Sequence, residues 1–436
     1  MTTSVALVKY KQSPDSLREV IALCNGFSEL KRDARVLIKP NLVLWDDKIP
    51  IAPFGVFTTT RLVEDLVLLL QKAGCTDITI GDGSMTVKPG TSTADAFAGL
   101  GYKDLVTKYH VKLVDFSTSP GVKLQGADGK VLQVAKAALD TDFLIDVPVL
   151  KTHGQTKVSL GIKNLKGCLK LPSKRLCHDP AYGGLEHAFS VLPDLIKPAL
   201  TIVDGIYALE QGPLVFGKAI RKDVIIASKD ILGADLVAAK TIGYNPDDVI
   251  HFKEFASRTG RSLDLTKYTV KGELLANHIT PLKWDWEWTK DDTGPSGFER
   301  LGIKGIGVPK YDETMCSGCS LMSNIVNILV LSAVQGKPAP VLLPKIEILN
   351  GKKRQARAGY DATVLIGNCI AAANARNPHV RKALKVAGCP PEYLDIVATL
   401  RNAGLDVKDN AYADALRQKL AKYTGKPEFS MTFFGK

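Results

Sequence analysis

What this sequence lacks narrows its roles before anything in it is read. No run of apolar residues approaches the roughly 18 that cross a bilayer. The longest, "IVNILVL" at 325–331, has the length of a buried helix or strand. The opening "MTTSVALVKYKQ" has no basic region followed by an apolar core, so no secretory signal is expected and the chain reads as cytoplasmic. There is no P-loop sequence, which argues against ATP-driven chemistry of that kind. There is no Gly-x-Ser-x-Gly elbow of a serine hydrolase. "GIKGIG" at 302–307 neither follows a clear strand nor opens a helix, so it is not a dinucleotide fingerprint.

Acidic residues are missing from one long stretch. The chain carries a net charge of +12, and between Val147 and His178 it has no Asp or Glu at all. Lys151, Lys157, Lys163, Lys166, Lys170, Lys174 and Arg175 all fall there. A solvated face would intersperse acids with these lysines, so the stretch is expected to bind an anionic ligand or partner. The basic residues are not interleaved with stacking aromatics, which argues against nucleic acid.

What is present has the grammar of α/β units. "RVLIKPNLV" (35–43) is an apolar strand ending at Pro40–Asn41, and "TTTRLVEDLVLLLQKAG" (58–74) has helical spacing closed by Gly74. "TDITIGDGS" (76–84) alternates as a strand, and the pattern returns at 141–150, 198–209 and 223–230, with a helix at 231–243. The expected fold is α/β, with parallel or mixed sheets flanked by helices and a smaller C-terminal α/β module. Residues 1–285 are expected to form one or two sheet lobes, 286–312 a connecting segment within the tryptophan-rich stretch that starts at 281, and 313–436 the C-terminal module. Ligands of such sheets sit beyond the carboxyl ends of the strands. On that rule Lys39, Asn41, Asp82, Lys151, His153 and Asp204 face one cleft. Lys151 and His153 are expected in the first loop after the run "FLIDVPVL". In "GIKNLKG", Lys163, Asn164 and Lys166 stand near glycines whose amides can approach an anion. Lys39, Asn41, Lys151, Lys163, Asn164 and Lys166 form the expected anion set, with Lys151 and His153 as charge clamp and acid–base group. "HDPAYGGLEH" offers His178 and His187 to a metal, against the plainer reading of a partly buried loop.

Four of the eight cysteines stand in loops beside regular elements. Cys316 and Cys319 form a Cys-x-x-Cys, Cys369 follows Gly367–Asn368 at a strand end, and Cys389 lies between Gly388 and Pro390–Pro391. Glycine beside a cysteine removes bulk, and proline after it fixes the direction of the chain. Buried unligated thiols, a zinc site and a four-thiolate cluster are the three readings. The cluster fits best, because the second half is two single cysteines and not a paired knuckle.

"CSGC", "VLIGNC" and "AGCPPEYL" resemble the proximal-cluster cysteines of the small subunits of nickel–iron hydrogenases and of the related subunit of respiratory complex I. That resemblance implies one [4Fe–4S] cluster on Cys316, Cys319, Cys369 and Cys389. "LIKPNLV", "VPVLKTH", "LGIKNLKG" and "IVDGIYALEQGP" resemble the family called domain of unknown function 362, over most of residues 1–250. The eight-iron ferredoxin insert frequent in that family is absent here, so the resemblance carries no internal transfer among several clusters. The function expected is an iron–sulfur redox protein of anaerobic metabolism, exchanging single electrons with an anionic substrate, cofactor or partner protein. The alternative is a non-redox isomerase or transferase acting on a carboxylate or phosphate compound, with a structural cluster. A homodimer is compatible with either.

Overall fold

The computed structural model describes residues 3–85 and 91–435. It is a mixed α/β structure whose chain divides into two units, residues 1–285 with 422–436, and residues 286–421.

The first unit is built on a ten-stranded mixed sheet flanked by helices. Its main path runs Tyr268–Gly272, Thr3–Lys9, Lys218–Ser228, Leu200–Glu210, Phe143–Asp146, Val36–Lys39, Ile78–Asp82 and Lys112–Asp115. On this path only Lys218–Ser228 runs against its neighbours. The last five strands are parallel, and the apolar residues of the inner four are buried as a sheet covered on both faces requires, while edge strand Lys112–Asp115 is only partly buried. Helix Thr60–Lys72 buries Leu62, Val63, Leu66, Val67, Leu69 and Leu70, the apolar positions spaced for one helical face. Helix Ile231–Thr241 is buried almost all round, and its N-cap Asp230 accepts from the Leu232 amide at 2.9 Å.

The apolar run at 141–150 is two strands, Phe143–Asp146 and Val149–His153. Pro148 has no amide to donate, and its carbonyl instead accepts from the Asp204 amide at 2.8 Å. Leu200–Glu210 therefore pairs first with one strand and then with the other. This corrects the expected loop: Lys151, Thr152 and His153 lie within a strand, paired antiparallel with Lys157–Ser159.

The C-terminal tail packs with the first unit, not with the module to which the sequence assigned it. Its rings supply the reason. Tyr423, Phe429 and Phe434 surround Phe54, with ring centres 5.8, 5.2 and 6.0 Å away. The Arg221 guanidinium lies over Phe433 at 4.2 Å and over Tyr207 at 4.8 Å.

The second unit holds a three-stranded parallel sheet in the order Ile346–Asn350, Ala362–Ile366, Ala383–Val386. Helix Ser317–Val334 has mean hydropathy 1.6 and 18 residues, enough by length and composition to cross a membrane. Half of it is buried inside the protein, and core helices pass the same test. The segment expected as a connection is folded into this unit: Trp288 donates its indole N–H to the Val308 carbonyl at 3.0 Å, and Ser296–Arg300 is helical.

The tail makes a direct prediction. Phe434 is fully buried, so Phe434→Ala is expected to cost about 3–5 kcal/mol of unfolding free energy in a denaturant titration. Leu342→Ala, at a side chain 79% exposed, should change it by less than about 0.5 kcal/mol.

Candidate functional site

Two groups of chemistry-bearing residues are assembled, one in each unit. In the first, Asp146, Lys39 and Asp82 are the last residues of three adjacent parallel strands. Lys39 and Asp146 are register partners, so their side chains start from neighbouring positions on the carboxyl edge. The Lys39 ammonium spends its three protons on Asp82 Oδ1 at 2.8 Å, the Pro40 carbonyl at 2.9 Å and Asn164 Oδ1 at 3.2 Å. Asp82 Oδ2 accepts from the Leu42 amide at 2.7 Å. Burial alone would pull the Lys39 pKa down, but Asp82, helped by Cys168 and Asp146, raises it above its ordinary value.

Asn164 joins this pair to the rest. Its Oδ1 also accepts from Asn41 Nδ2 at 2.8 Å, and its own amide donates to Asp146 Oδ1 at 2.8 Å. Asn41 Oδ1 in turn accepts from the Lys151 ammonium at 2.7 Å, which also reaches the Val56 carbonyl at 2.7 Å. Lys151 is 1% exposed. Burial is the main reason its pKa falls to about 7; Lys39 adds repulsion and Asp82 only partly offsets both. Asp146 moves the other way: burial pushes its carboxyl up to about 7 against the pull of Lys39 and Asn164. Its Oδ2 is buried without a hydrogen-bond partner.

Helix Gly161–Asn164 places Asn164 there. Its first two amides, Gly161 and Ile162, donate to the buried Asp235 carboxylate at 2.7 and 2.9 Å. The expected cradle of free amides is thus occupied by an internal acid. At Gly167 the need is space: a Cβ would stand 2.3 Å from Asp82 Oδ1 and 2.7 Å from Lys39 Nζ.

Of the residues expected at this edge, Lys39, Asn41, Asp82, Lys151 and Asn164 form one hydrogen-bonded network. Lys163 and Lys166 are half-buried; Lys163 donates to Ser159 Oγ at 3.2 Å and Lys166 lies 2.6 Å from His178 Nε2. Burial, then Lys166 and Lys151, depress the Lys163 pKa well below the ordinary lysine value. The same cations act on His153, whose burial and surroundings hold it well below the ordinary histidine value, with Nδ1 accepting from the Gln155 amide at 3.1 Å. Asp204 belongs elsewhere. It accepts from the amides of Thr59 at 2.6 Å and Ile206 at 3.1 Å, holding the start of helix Thr60–Lys72. His187 is taken by Asp128 at 3.0 Å and Glu254 at 3.1 Å, a link between elements. Sequence reading missed Asp146, although it ends a strand just as Asp82 does in "ITIGD".

In the second unit three segments leave the carboxyl edge of the small sheet, where Asn350, Ile366 and Val386 stand in one register row. Cys369 is not in a loop as expected but in the first turn of helix Asn368–Ala373, which begins after the second strand, and Cys389 follows the third strand. The helix start and the corner are tied together: the Asn368 amide donates to the Gly388 carbonyl at 3.1 Å, and the Gly388 amide to Asn368 Oδ1 at 3.0 Å. Cys316 is the N-cap of helix Ser317–Val334 and Cys319 lies in its first turn. Asn350 Nδ2 donates to the Cys319 carbonyl at 3.3 Å, fixing that turn beside the sheet edge. Gly388 sits at φ +129°, where a Cβ would stand 2.6 Å from Pro391 Cα, so the corner requires glycine. Pro390 lies against Gly318, 3.1 Å from where its Cβ would be. Pro390 thus seats the Cys389 corner on the Cys-x-x-Cys turn. Burial, with Cys316, Cys389 and Cys369 adding to it, pushes the Cys319 thiol up to about 12. Cys316 and Cys319 are half-buried, while Cys369 and Cys389 are exposed. Among the described residues no group of three or more His, Cys, Asp or Glu side chains is placed to hold a metal ion.

Residues 36–240 match the family described as domain of unknown function (DUF362). A thylakoid-associated protein of Synechocystis sp. is 28% identical over 237 residues, covering 53% of this chain and 70% of that protein. The lactate racemase apoprotein from Thermoanaerobacterium thermosaccharolyticum aligns with TM-score 0.35 and 16% identity, over 54% of this chain and 57% of that one.

The buried lysine and aspartate predict opposite pH dependences. Between pH about 7 and 10.5 the folded protein binds fewer protons at Lys151 than the unfolded chain, so that residue makes stability rise with pH across the window. Between pH 3.8 and about 7 the folded protein holds more protons at Asp146, so its contribution falls as pH rises. Methionine at 151 removes the cost of a buried ammonium but leaves Asn41 Oδ1 and the Val56 carbonyl without their donor, so the stability of Lys151→Met relative to wild type should be most favourable near pH 7. It should fall toward pH 10 in thermal melts of the two proteins.

Proposed function

We propose that this protein is an iron–sulfur protein carrying one [4Fe–4S] cluster on Cys316, Cys319, Cys369 and Cys389, and that it exchanges single electrons with an anionic substrate or partner. The reading is supported by the segments that carry the four cysteines, which lie about the carboxyl edge of one small sheet with glycine and proline shaping the Cys389 corner. Among the described residues no three metal-ligating side chains are gathered there, so a bound cluster would draw the thiols together. The donor set is all thiol, as such clusters require. The chain's own contribution is placement. Cys316 and Cys319 stand at the start of helix Ser317–Val334, Cys369 at the start of helix Asn368–Ala373 and Cys389 at the corner after the third strand, with Gly318 and Gly388 leaving room for that corner. A bound cluster would supply reversible one-electron chemistry at a potential set by burial and by hydrogen bonds to sulfur. The hydrogenase-like cysteine pattern belongs to the same proposal.

Anaerobically purified protein is expected to contain about four irons and four sulfides per chain. Serine at Cys316, Cys319, Cys369 or Cys389 should each deplete the iron, while Cys24→Ser and Cys75→Ser should not. Stoichiometric zinc in place of iron would end the proposal.

A second reading has its own support. The network of Lys39, Asn41, Asn164 and Lys151, with the half-buried Lys163 and Lys166 close by, favours a site for a carboxylate or phosphate compound. Converging ammonium groups repel one another, and a bound anion relieves that cost. In this reading the protein is a non-redox isomerase or transferase: Lys163 and Lys166 hold the anion, Lys151 supplies an amine held near neutrality, His153 exchanges a proton, and the cluster is structural. An anaerobic redox titration separates the two, because a cluster whose reduction leaves activity untouched favours the second. Phosphate or sulfate should raise the melting temperature of the wild type by mass action. Lys151→Ala and Lys163→Ala should each weaken that stabilisation by about 1–3 kcal/mol of binding free energy while iron content stays normal. Equal stabilisation in both variants and wild type would place the cleft elsewhere.

A further inference from the structure

We propose that the cationic site of the first unit takes a dianionic phosphoryl group in preference to a carboxylate, and that His178 positions one of the two lysines that hold it. The inference rests on the anion-site reading above and is independent of the cluster.

Strand geometry sets the face. Residues two apart on a strand point to the same side, so Lys151 and His153 of Val149–His153 share one face. Ser159 is the register partner of Lys151 across the antiparallel pair, and such partners share a face as well. The Lys163 ammonium donates to Ser159 Oγ at 3.2 Å, which hangs it on that side. A hydroxyl accepts this bond without cancelling the charge. The Lys163 and Lys166 ammonium groups both lie over the ring of Phe189, 5.6 and 5.9 Å from its centre, in helix Gly184–Leu195. One ring thus gathers two cations. Lys170 and Lys174 of the same basic stretch are spent inside the fold, on the carbonyls of Phe116, Ser117 and Ser119 and on that of Gly83.

Two histidines complete the set in opposite senses. Lys166 Nζ lies 2.6 Å from His178 Nε2. An ammonium only donates, so that nitrogen accepts and the His178 proton sits on Nδ1. His178 is 3% exposed, so its packed ring fixes where Lys166 points. His153 Nδ1 instead accepts from the Gln155 amide at 3.1 Å, which leaves the proton of the neutral ring on Nε2. Burial, then Lys163, Lys166, His178 and Lys151, keep His153 from taking a second proton.

A ligand therefore meets donors only: two ammonium groups and one imidazole N–H. A phosphate monoester carries a charge of about −1.5 to −2 at pH 7 and three strong acceptor oxygens. A carboxylate has one charge and two oxygens, and leaves one ammonium uncompensated. Lys163 reports the need. Burial, then Lys166 and Lys151, depress its pKa, and Glu186 opposes them less than either lysine does.

The test is isothermal titration calorimetry of full-length protein at pH about 7.5 and a fixed ionic strength of about 0.15 M, so that screening is constant. The probes are inorganic phosphate, methyl phosphate, acetate and succinate, the last separating total charge from a single phosphoryl group. Both phosphates should bind about tenfold or more tightly than acetate or succinate. Lys163→Ala and Lys166→Ala should each weaken phosphate about tenfold and erase most of that preference. His178→Phe should lose about as much as Lys166→Ala, while His178→Gln, whose side-chain oxygen still accepts from an ammonium, should keep most of the affinity. Lys290→Ala, in the other unit, should bind like wild type. Thermal melts without ligand check that each variant is folded, and Lys163→Gln or Lys166→Gln replaces an alanine variant that is not. Tighter binding of methyl phosphate than of inorganic phosphate assigns the site to a monoester, and the reverse order to free phosphate. Acetate or succinate binding as tightly as phosphate overturns the phosphoryl preference and leaves the anion site. No binding of any probe, or equal weakening in Lys290→Ala, removes the anion site and this inference with it. Equal losses in His178→Gln and His178→Phe remove the positioning role.

Discussion

The buried pair between Lys39 and Asp82 is the constraint on which the first unit's site depends. Its side chains are 0% and 3% exposed, and taking two such charges out of water costs several kcal/mol each unless every proton and lone pair finds a partner. The structure meets that demand with the Pro40 carbonyl, Asn164 and the Leu42 amide. Each of those partners fixes something further. Asn164 must stay at the end of its short helix, so Asp235 must hold that helix's first amides. Gly167 must lack a side chain, because the pair fills the space where one would go.

The network also separates its outer groups by charge state. Lys39 has a carboxylate beside it and stays an ammonium, while Lys151 has only an amide oxygen and a carbonyl and is drawn toward neutrality. Asp146 has an amide donor on one oxygen and nothing on the other, and it too is drawn toward its neutral form. Near neutral pH the edge therefore holds one ion pair between two groups poised to gain or lose a proton. Burial drives both shifts, as it does in structural ion-pair networks and functional sites alike. The half-buried Lys163 and Lys166 add positive charge beside them.

The second unit orders the segments that carry Cys316, Cys319, Cys369 and Cys389 about one sheet edge, and among the described residues no three metal-ligating side chains are gathered there. A three-stranded parallel sheet aligns the ends of its strands, so loops that begin there start in one row. Hydrogen bonds between the start of helix Asn368–Ala373 and the Cys389 corner, and the packing of Pro390 on Gly318, then set that corner against the start of helix Ser317–Val334. The stiffness around Cys389 has a mechanical role, since the prolines both aim the thiol and form the contact surface.

The sequence by itself determined the strands that end in polar residues, the helix faces, and the α/β class, because periodicity and turn residues act locally. It also marked Lys39, Asn41, Lys151 and Asn164 as candidates, because polar residues after apolar parallel strands fall at one sheet edge whatever the strand order. Tertiary structure alone decided their partners. That Lys39 takes Asp82 and Lys151 does not follows from strand order and from the helix that inserts Asn164 between them, and neither is local. The same holds for Lys151–His153, which became a strand because Leu200–Glu210 is long enough to pair twice, once on each side of Pro148. It holds again for the C-terminal tail, whose aromatic residues read as part of a module until Phe54 and Tyr207, far away in sequence, offered them a surface to bury against.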